Sequence, residues 1–124
     1  MNINKTKIAI CANDQNEESK ASSRFARCEY YSIYDHRTLK FSFVSNIAKE
    51  EMSGAGNKAA KILSDLGVEI VLVPEIGPKA FDTLKAFDID VFQYSGELSV
   101  RDTLYKYFED QLKEITAPSK KGKH

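Results

Sequence analysis

The chain carries no excess of either charge, has few cysteines, histidines and prolines, and contains no apolar run long enough to cross a bilayer. Each scarcity removes a class of function. Eighteen basic residues offset eighteen acidic ones, so the domain as a whole lacks the clustered positive charge on which nucleic-acid affinity rests. Residues 1–7 are polar and lack the apolar core of a signal peptide. The expectation is therefore a cytosolic protein with neither membrane nor nucleic acid as a partner. In that compartment Cys11 and Cys28 stay reduced and read as thiols, not as a structural disulfide. Their spacing fits no zinc pattern, and His36 and His124 do not complete one. Those two histidines, at a predicted turn and at the last residue, form no Ser–His–Asp set. Gly54-Ala55-Gly56 is not followed by the Gly-Lys-Ser/Thr of a phosphate-binding loop. A two-metal nuclease needs carboxylates at the end of the first strand, where this chain has Cys11 and nothing acidic before Asp14.

What is present suits one globular α/β domain: 124 residues, 42% of them hydrophobic and 29% charged. Ile8-Ala9-Ile10-Cys11 reads as a buried strand, followed by a long polar loop from Asp14 to Ser23. A hairpin comes next. Its first strand places Tyr31 and Ile33 on one face; in its second, Leu39, Phe41 and Phe43 alternate with polar residues, and Asp35-His36-Arg37-Thr38 turns between them. The period then becomes helical at Ala59, Ile62, Leu63 and Leu66, with Gly67 as a left-handed stop. Val68 to Val73 is continuously apolar, the mark of a central strand covered on both faces. Gly77-Pro78 opens a second helix with Ala80, Phe81, Leu84 and Phe87 as its stripe, and Ile89 to Tyr94 forms another strand. Ser99 caps the last helix, with Asp102 three residues on. Leu104, Phe108, Leu112 and Ile115 form its buried stripe up to Pro118. The reading is a mixed five-stranded sheet with three helices, one domain over residues 1–117, and a basic tail over 118–124 carrying Lys120, Lys121 and Lys123.

In open α/β sheets ligands bind beyond the carboxyl ends of the parallel strands. Four connections leave from that edge, and three lead into helix amino termini, whose unpaired N–H groups and partial positive charge favour an anion. Gly54, Gly56, Gly77 and Gly96 let backbone approach a ligand, although Gly54-Ala55-Gly56 also reads as a flexible helix entry and Gly77 as ordinary turn chemistry. Arg24 and Arg27 add positive charge on the first long loop, or are solvated surface residues. Glu75 is a candidate ligand or base beside Gly77, with an exposed loop carboxylate as the default. If the first two strands pair antiparallel, Cys11 and Cys28 come to the same edge, where a soft metal or metal–sulfur cluster would favour thiolate. Otherwise each is a small buried hydrophobe.

At these loops the sequence resembles the dinitrogenase iron–molybdenum cofactor biosynthesis family, the NifX-like cofactor-binding domain. Lys7-Ile8-Ala9-Ile10 resembles its opening strand, and Ser23-Arg24-Phe25-Ala26-Arg27-Cys28-Glu29-Tyr30-Tyr31 its Ser-x-His-Phe-Gly-Arg-Ala/Cys-x-x-Phe segment. Gly54-Ala55-Gly56 with Ala59-Ala60 and Leu63 is similar to the start of its first helix. Gly67 to Val73 and Glu75-Ile76-Gly77-Pro78-Lys79-Ala80-Phe81 are similar to its central strand and turn. The resemblance spans residues 7–113. It implies a ribonuclease-H-like topology with strand order 3-2-1-4-5, strand 2 antiparallel, without nuclease activity. It also implies non-enzymatic binding or carriage of an anionic iron–molybdenum or other metal–sulfur cluster, or a precursor, with a cluster-donor or apo-acceptor protein as partner. Arg24, Arg27, Gly54, Gly56, Glu75 and Gly77 are then the cluster-binding candidates, and Cys11 and Cys28 the metal ligands. Where the family has His before Phe, this chain has Arg24, which pairs with an anion but cannot coordinate a metal. That exchange keeps a second reading open, a metal-free regulatory or protein-interaction module on the same fold.

Overall fold

Successive side chains on a strand leave for opposite faces, and the central strands of this chain are apolar at nearly every position. In the computed structural model, which describes residues 5–118, that pattern sorts the core into two halves. On β1 (Lys7–Ala12) and β4 (Ile70–Val73), Ala9, Cys11, Val71 and Val73 face one side, while Ile8, Ile10, Ile70 and Leu72 face the other. Helices α1 (Ala55–Asp65) and α2 (Pro78–Ala86) cover the first face through Ala59, Leu63, Phe81 and Leu84. Helix α3 (Val100–Phe108) covers the second through Val100, Leu104 and Tyr107.

The remaining strands are β2 (Tyr30–Asp35), β3 (Lys40–Ser45), β5 (Asp90–Gln93) and β6 (Lys113–Glu114), and a 3-10 turn spans Ile47–Glu50. The sheet runs β3-β2-β1-β4-β5-β6. Strand β2 is antiparallel to both neighbours, with Cys11 opposite Tyr31, while β1, β4 and β5 are parallel. The ends of β1, β3, β4 and β5 therefore open onto one edge. The loop after β1 is tied down there: Ala12 bridges Ala21, Lys20 bridges Ser99, and Ser22 N donates to Cys11 O at 2.9 Å.

Three sequence expectations need correction. The sheet has six strands, not five, because the last helix stops at Phe108 and does not carry Leu112 and Ile115. Asp110 adopts a left-handed φ of 57°, the chain reverses, and β6 pairs antiparallel with β5 through Phe92 opposite Glu114. Ile115 N donates to Val91 O at 2.9 Å, and its side chain joins the core on the α1–α2 face. Helical spacing alone did not register the unpaired main-chain edge of β5, which a short strand satisfies and a helix cannot. Leu39 is not on β3 but in the turn at φ 59°, with 67% of its surface exposed. Phe87 follows α2 and is 47% exposed, because Asp88 at φ 59° turns the chain away from the helix stripe. The basic tail, Lys120, Lys121 and Lys123, lies outside the described residues.

Candidate functional site

Helices α1 and α2 lie side by side and bring their amino termini together at the carboxyl edge of the sheet. Their closeness depends on Gly56, where a Cβ would stand 3.0 Å from the Cβ of Ala80. The Thr83 hydroxyl donates to the side-chain carbonyl of Asn57 and ties the two helices across the same contact. Between the helix ends and the first long loop lies a cleft of about 560 Å³, walled by residues 24–27, 54–57 and 75–80. Arg24, Arg27, Gly54, Gly56, Glu75 and Gly77 all line it.

Backbone dominates the far wall. Gly54 precedes α1 at φ 71°, a left-handed conformation that costs a non-glycine residue about 1–2 kcal/mol. Gly77 is extended at φ −79° with open space where a Cβ would stand, so its backbone shape does not require glycine. No side chain caps either helix. The first main-chain bonds are Lys58 N to Gly54 O and Phe81 N to Gly77 O, each 3.0 Å. The N–H groups of Ala55, Gly56, Asn57, Lys79 and Ala80 come before those bonds, and all five residues line the cleft.

The cations differ from one another. Arg24 is exposed, and its guanidinium makes no ion pair among the described residues; its backbone N–H is held by Ser22 Oγ at 3.1 Å. Arg27 spends one guanidinium nitrogen on the carbonyls of Lys49 and Glu51, at 2.5 and 2.7 Å, and so pins the approach to Gly54. Lys79, in the first turn of α2, adds an exposed charge that the sequence reading did not single out. Its position just after a predicted Pro start was the available signal. Glu75 stands on the lip shared with an adjoining pocket of about 390 Å³.

The antiparallel pairing of β1 and β2 brings Cys11 and Cys28 together, but beneath the cleft and not in its wall. They are 0% and 3% exposed, under Phe25. Their Sγ atoms donate to the Phe25 carbonyl at 3.8 and 3.5 Å, and the Tyr31 hydroxyl donates to the same oxygen. Burial pushes Cys11 well above its ordinary range, and the neighbouring Cys11 side chain lowers Cys28. Asn46, 2% exposed, fixes the loop from the other side by donating to Ala26 O at 2.9 Å and Cys28 O at 3.0 Å. Among the described residues no three or more His, Cys, Asp or Glu gather as a metal site.

A larger groove of about 890 Å³ lies across β2, β3 and α3, walled by Tyr34, His36, Phe41, Phe43 and Phe108. Of its cations, Lys40 and Arg101, the latter is already paired with Glu17 and with Glu18. Size alone does not make it a stronger candidate than the cleft, where charge and helix ends converge.

Residues 6–110 match the family described as dinitrogenase iron-molybdenum cofactor. The chain belongs to that family. Within it, similarity is spread along the fold. An uncharacterized protein of Methanocaldococcus jannaschii is 27% identical over 102 residues, which is 80% of this chain and 86% of that one. The apo form of the orange protein from Desulfovibrio gigas superposes with a TM-score of 0.90 at 29% identity, over 94% of this chain and 98% of that one. A putative NifB protein from Thermotoga superposes with a TM-score of 0.82 at 31% identity, over 94% and 99%. Both superpositions cover 94% of this chain, so the α/β frame that builds the cleft is shared. Among the described residues no helix is long and apolar enough to cross a membrane.

Proposed function

We propose that this dinitrogenase iron-molybdenum cofactor family member is a non-enzymatic carrier of an anionic metal–sulfur cluster or its precursor, held in the cleft between α1 and α2. One observation carries the reading: two helix amino termini without side-chain caps and the Arg24 guanidinium, which makes no ion pair among the described residues, line one cavity of about 560 Å³. Preorganised N–H groups and cations stabilise an anion without chelating it. The donor set agrees with cargo that arrives assembled. A bare metal ion finds too few ligands among the described residues, whereas a preformed cluster brings its own sulfides. Arg24, Lys79 and the N–H groups of residues 55–57 and 79–80 hold the charge, while Arg27 positions the approach to Gly54. Cys11 and Cys28 ligate the metal only if Phe25 swings aside. A cluster-donor or apo-acceptor protein would then exchange the cargo at the open side of the cleft.

Anaerobic reconstitution with iron, molybdate and sulfide, followed by absorption spectroscopy and metal analysis, tests the reading. The expected result is retained metal and sulfide in wild type and a clear loss in Arg24→Ala. No retention by wild type overturns it. Equal retention by a Cys11→Ser/Cys28→Ser variant assigns the hold to charge and backbone and removes thiolate ligation. The burial of both thiols favours a second reading, a metal-free interaction module. A stable complex with another protein, isolated with no metal in it, supports that one.

A further inference from the structure

The buried thiols have no role in an electrostatic hold, yet their placement is specific. Three buried donors, Cys11 Sγ, Cys28 Sγ and Tyr31 Oη, converge on the one carbonyl oxygen of Phe25. Phe25 is itself part of the cleft wall, one residue from Arg24 and two from Arg27. Around it the loop is tied by Ser22 Oγ, by Asn46 and by Tyr94 Oη, which donates to Ser22 O. The strand that carries Cys11 is firm: β1 is buried along nearly its whole length and pairs on both sides. The loop of residues 22–28 is the softer partner, because turn hydrogen bonds and not a ladder hold it.

We propose that Cys11 and Cys28 form an oxidisable pair that sets the position of residues 24–27, and with it the grip of the cleft on its anion. This rests on the anion-binding reading of the cleft. In the reduced protein both S–H groups hold the Phe25 carbonyl and keep Arg24 facing the cavity. A small disulfide oxidant, R–S–S–R, converts the pair by two exchanges. The Cys28 thiolate attacks one sulfur of the oxidant, giving a mixed disulfide and releasing the first R–S⁻, which takes up the proton that Cys28 gave up. Cys11 then loses its proton and attacks Cys28 Sγ, forming the Cys11–Cys28 bond and releasing the second R–S⁻, which leaves as R–SH. Two electrons pass from the protein to the oxidant. The bridge removes both S–H donors from the Phe25 carbonyl. A disulfide also needs Cα atoms within about 7 Å and a restricted dihedral, so the 25–28 turn is the segment that shifts to accommodate it. Arg24 and Arg27 move with that turn.

The test uses the full folded chain, hydroxyethyl disulfide as oxidant and inorganic molybdate as an anion that does not reduce the bridge. Intact mass and peptide mapping report the bridge. Backbone amide NMR reports residues 22–28 and, during molybdate titration, Gly54 and Gly56. The expected result is a Cys11–Cys28 cross-link lighter by two hydrogen atoms, displaced amides from Arg24 to Cys28, and molybdate binding weakened about five-fold or more. Reduction by a dithiol reverses all three. Cys28→Ser and, should that variant fold poorly, Cys11→Ala bind molybdate and do not respond to the oxidant. A folded wild type that forms no cross-link overturns the proposal, and so does a cross-link that leaves amides 24–27 and molybdate affinity unchanged. Reduced wild type that ignores molybdate overturns the anion reading instead. The amides of residues 24–27 then decide by themselves whether the pair moves the loop.

Discussion

Helix α3 and the pair α1–α2 begin in opposite ways. At the start of α3 the main-chain donors are consumed internally: Val100 N binds Ser19 O, Arg101 N binds Glu17 O, and Asp102 N binds Ser99 Oγ at 2.9, 2.9 and 3.0 Å. Arg101 then closes the same corner through ion pairs to Glu17 and Glu18. At α1 and α2 glycine stands in the cap position, no side chain caps the turn, and the ends face a cavity. One chain thus contains both a finished helix start and two unfinished ones. A side-chain cap in place of glycine contributes about a few tenths of a kcal/mol, so leaving two helices without one forgoes a little stability for donors that remain available to a ligand. The contrast separates structure from function more cleanly than burial does, because the glycines and Arg24 at the cleft contribute little to the core.

Finishing an unfinished start is the sharpest way to break this contrast. Gly77→Asp fits the extended backbone and open space at that position and supplies a cap for α2. Stability should rise by a few tenths of a kcal/mol, while retention of an anionic cluster falls about ten-fold or more from the added negative charge. Melting curves and metal analysis after reconstitution read the two effects. Both moving in the same direction would show that the bare cap is not tied to binding. Next in size is Gly56→Val, which drives a branched side chain into Ala80 and should cost about 1–3 kcal/mol in urea unfolding as the helices part. An unchanged midpoint would mean that the helix pair closes without the glycine. On the finished side, Ser99→Ala removes the α3 cap and should cost about 1 kcal/mol with no loss of metal retention.

The smallest effect concerns the single loose end of α3. Tyr107 Oη is buried with no hydrogen-bond partner among the described residues, and burial pushes its phenol up to about 12. Tyr107→Phe removes that orphan and should raise stability by up to about 1 kcal/mol at neutral pH. Because the folded phenol ionises above its unfolded value, its contribution is full below pH 10 and is lost as pH rises from 10 toward 12. Unfolding free energies measured across that interval should fall less steeply in Tyr107→Phe than in wild type. Equal slopes would place the alkaline loss elsewhere, on Tyr31 and Tyr94, which burial also raises.

Local chemistry made much of this legible in the sequence. Strand and helix order, the Gly67 stop, the Pro78 start and the Ser99 cap are short-range signals that the backbone obeys directly, and the structure keeps each of them. The six cleft residues were also legible, because loops that end parallel strands must share an edge. What escaped the sequence depends on neighbours distant along the chain. Leu112 and Ile115 carry helical spacing from Leu104 and Phe108, yet the open edge of β5 takes Lys113 and Glu114 into a sixth strand. Arg27 reads as a free cation until the carbonyls of Lys49 and Glu51 are found beside it. Phe25 carries no sign of its place over two thiols.

By itself, then, the sequence determined five of the strands, the three helices, their order and the edge at which their loops gather, since each follows from local φ/ψ preference and apolar period. Tertiary structure alone decided which donors remain unspent. It left the ends of α1 and α2 open while the loop of residues 17–20 closed α3, and it turned Cys11 and Cys28 inward onto a single carbonyl. Whether a polar group is satisfied depends on what packs against it in three dimensions, and the order of residues along the chain does not carry that information.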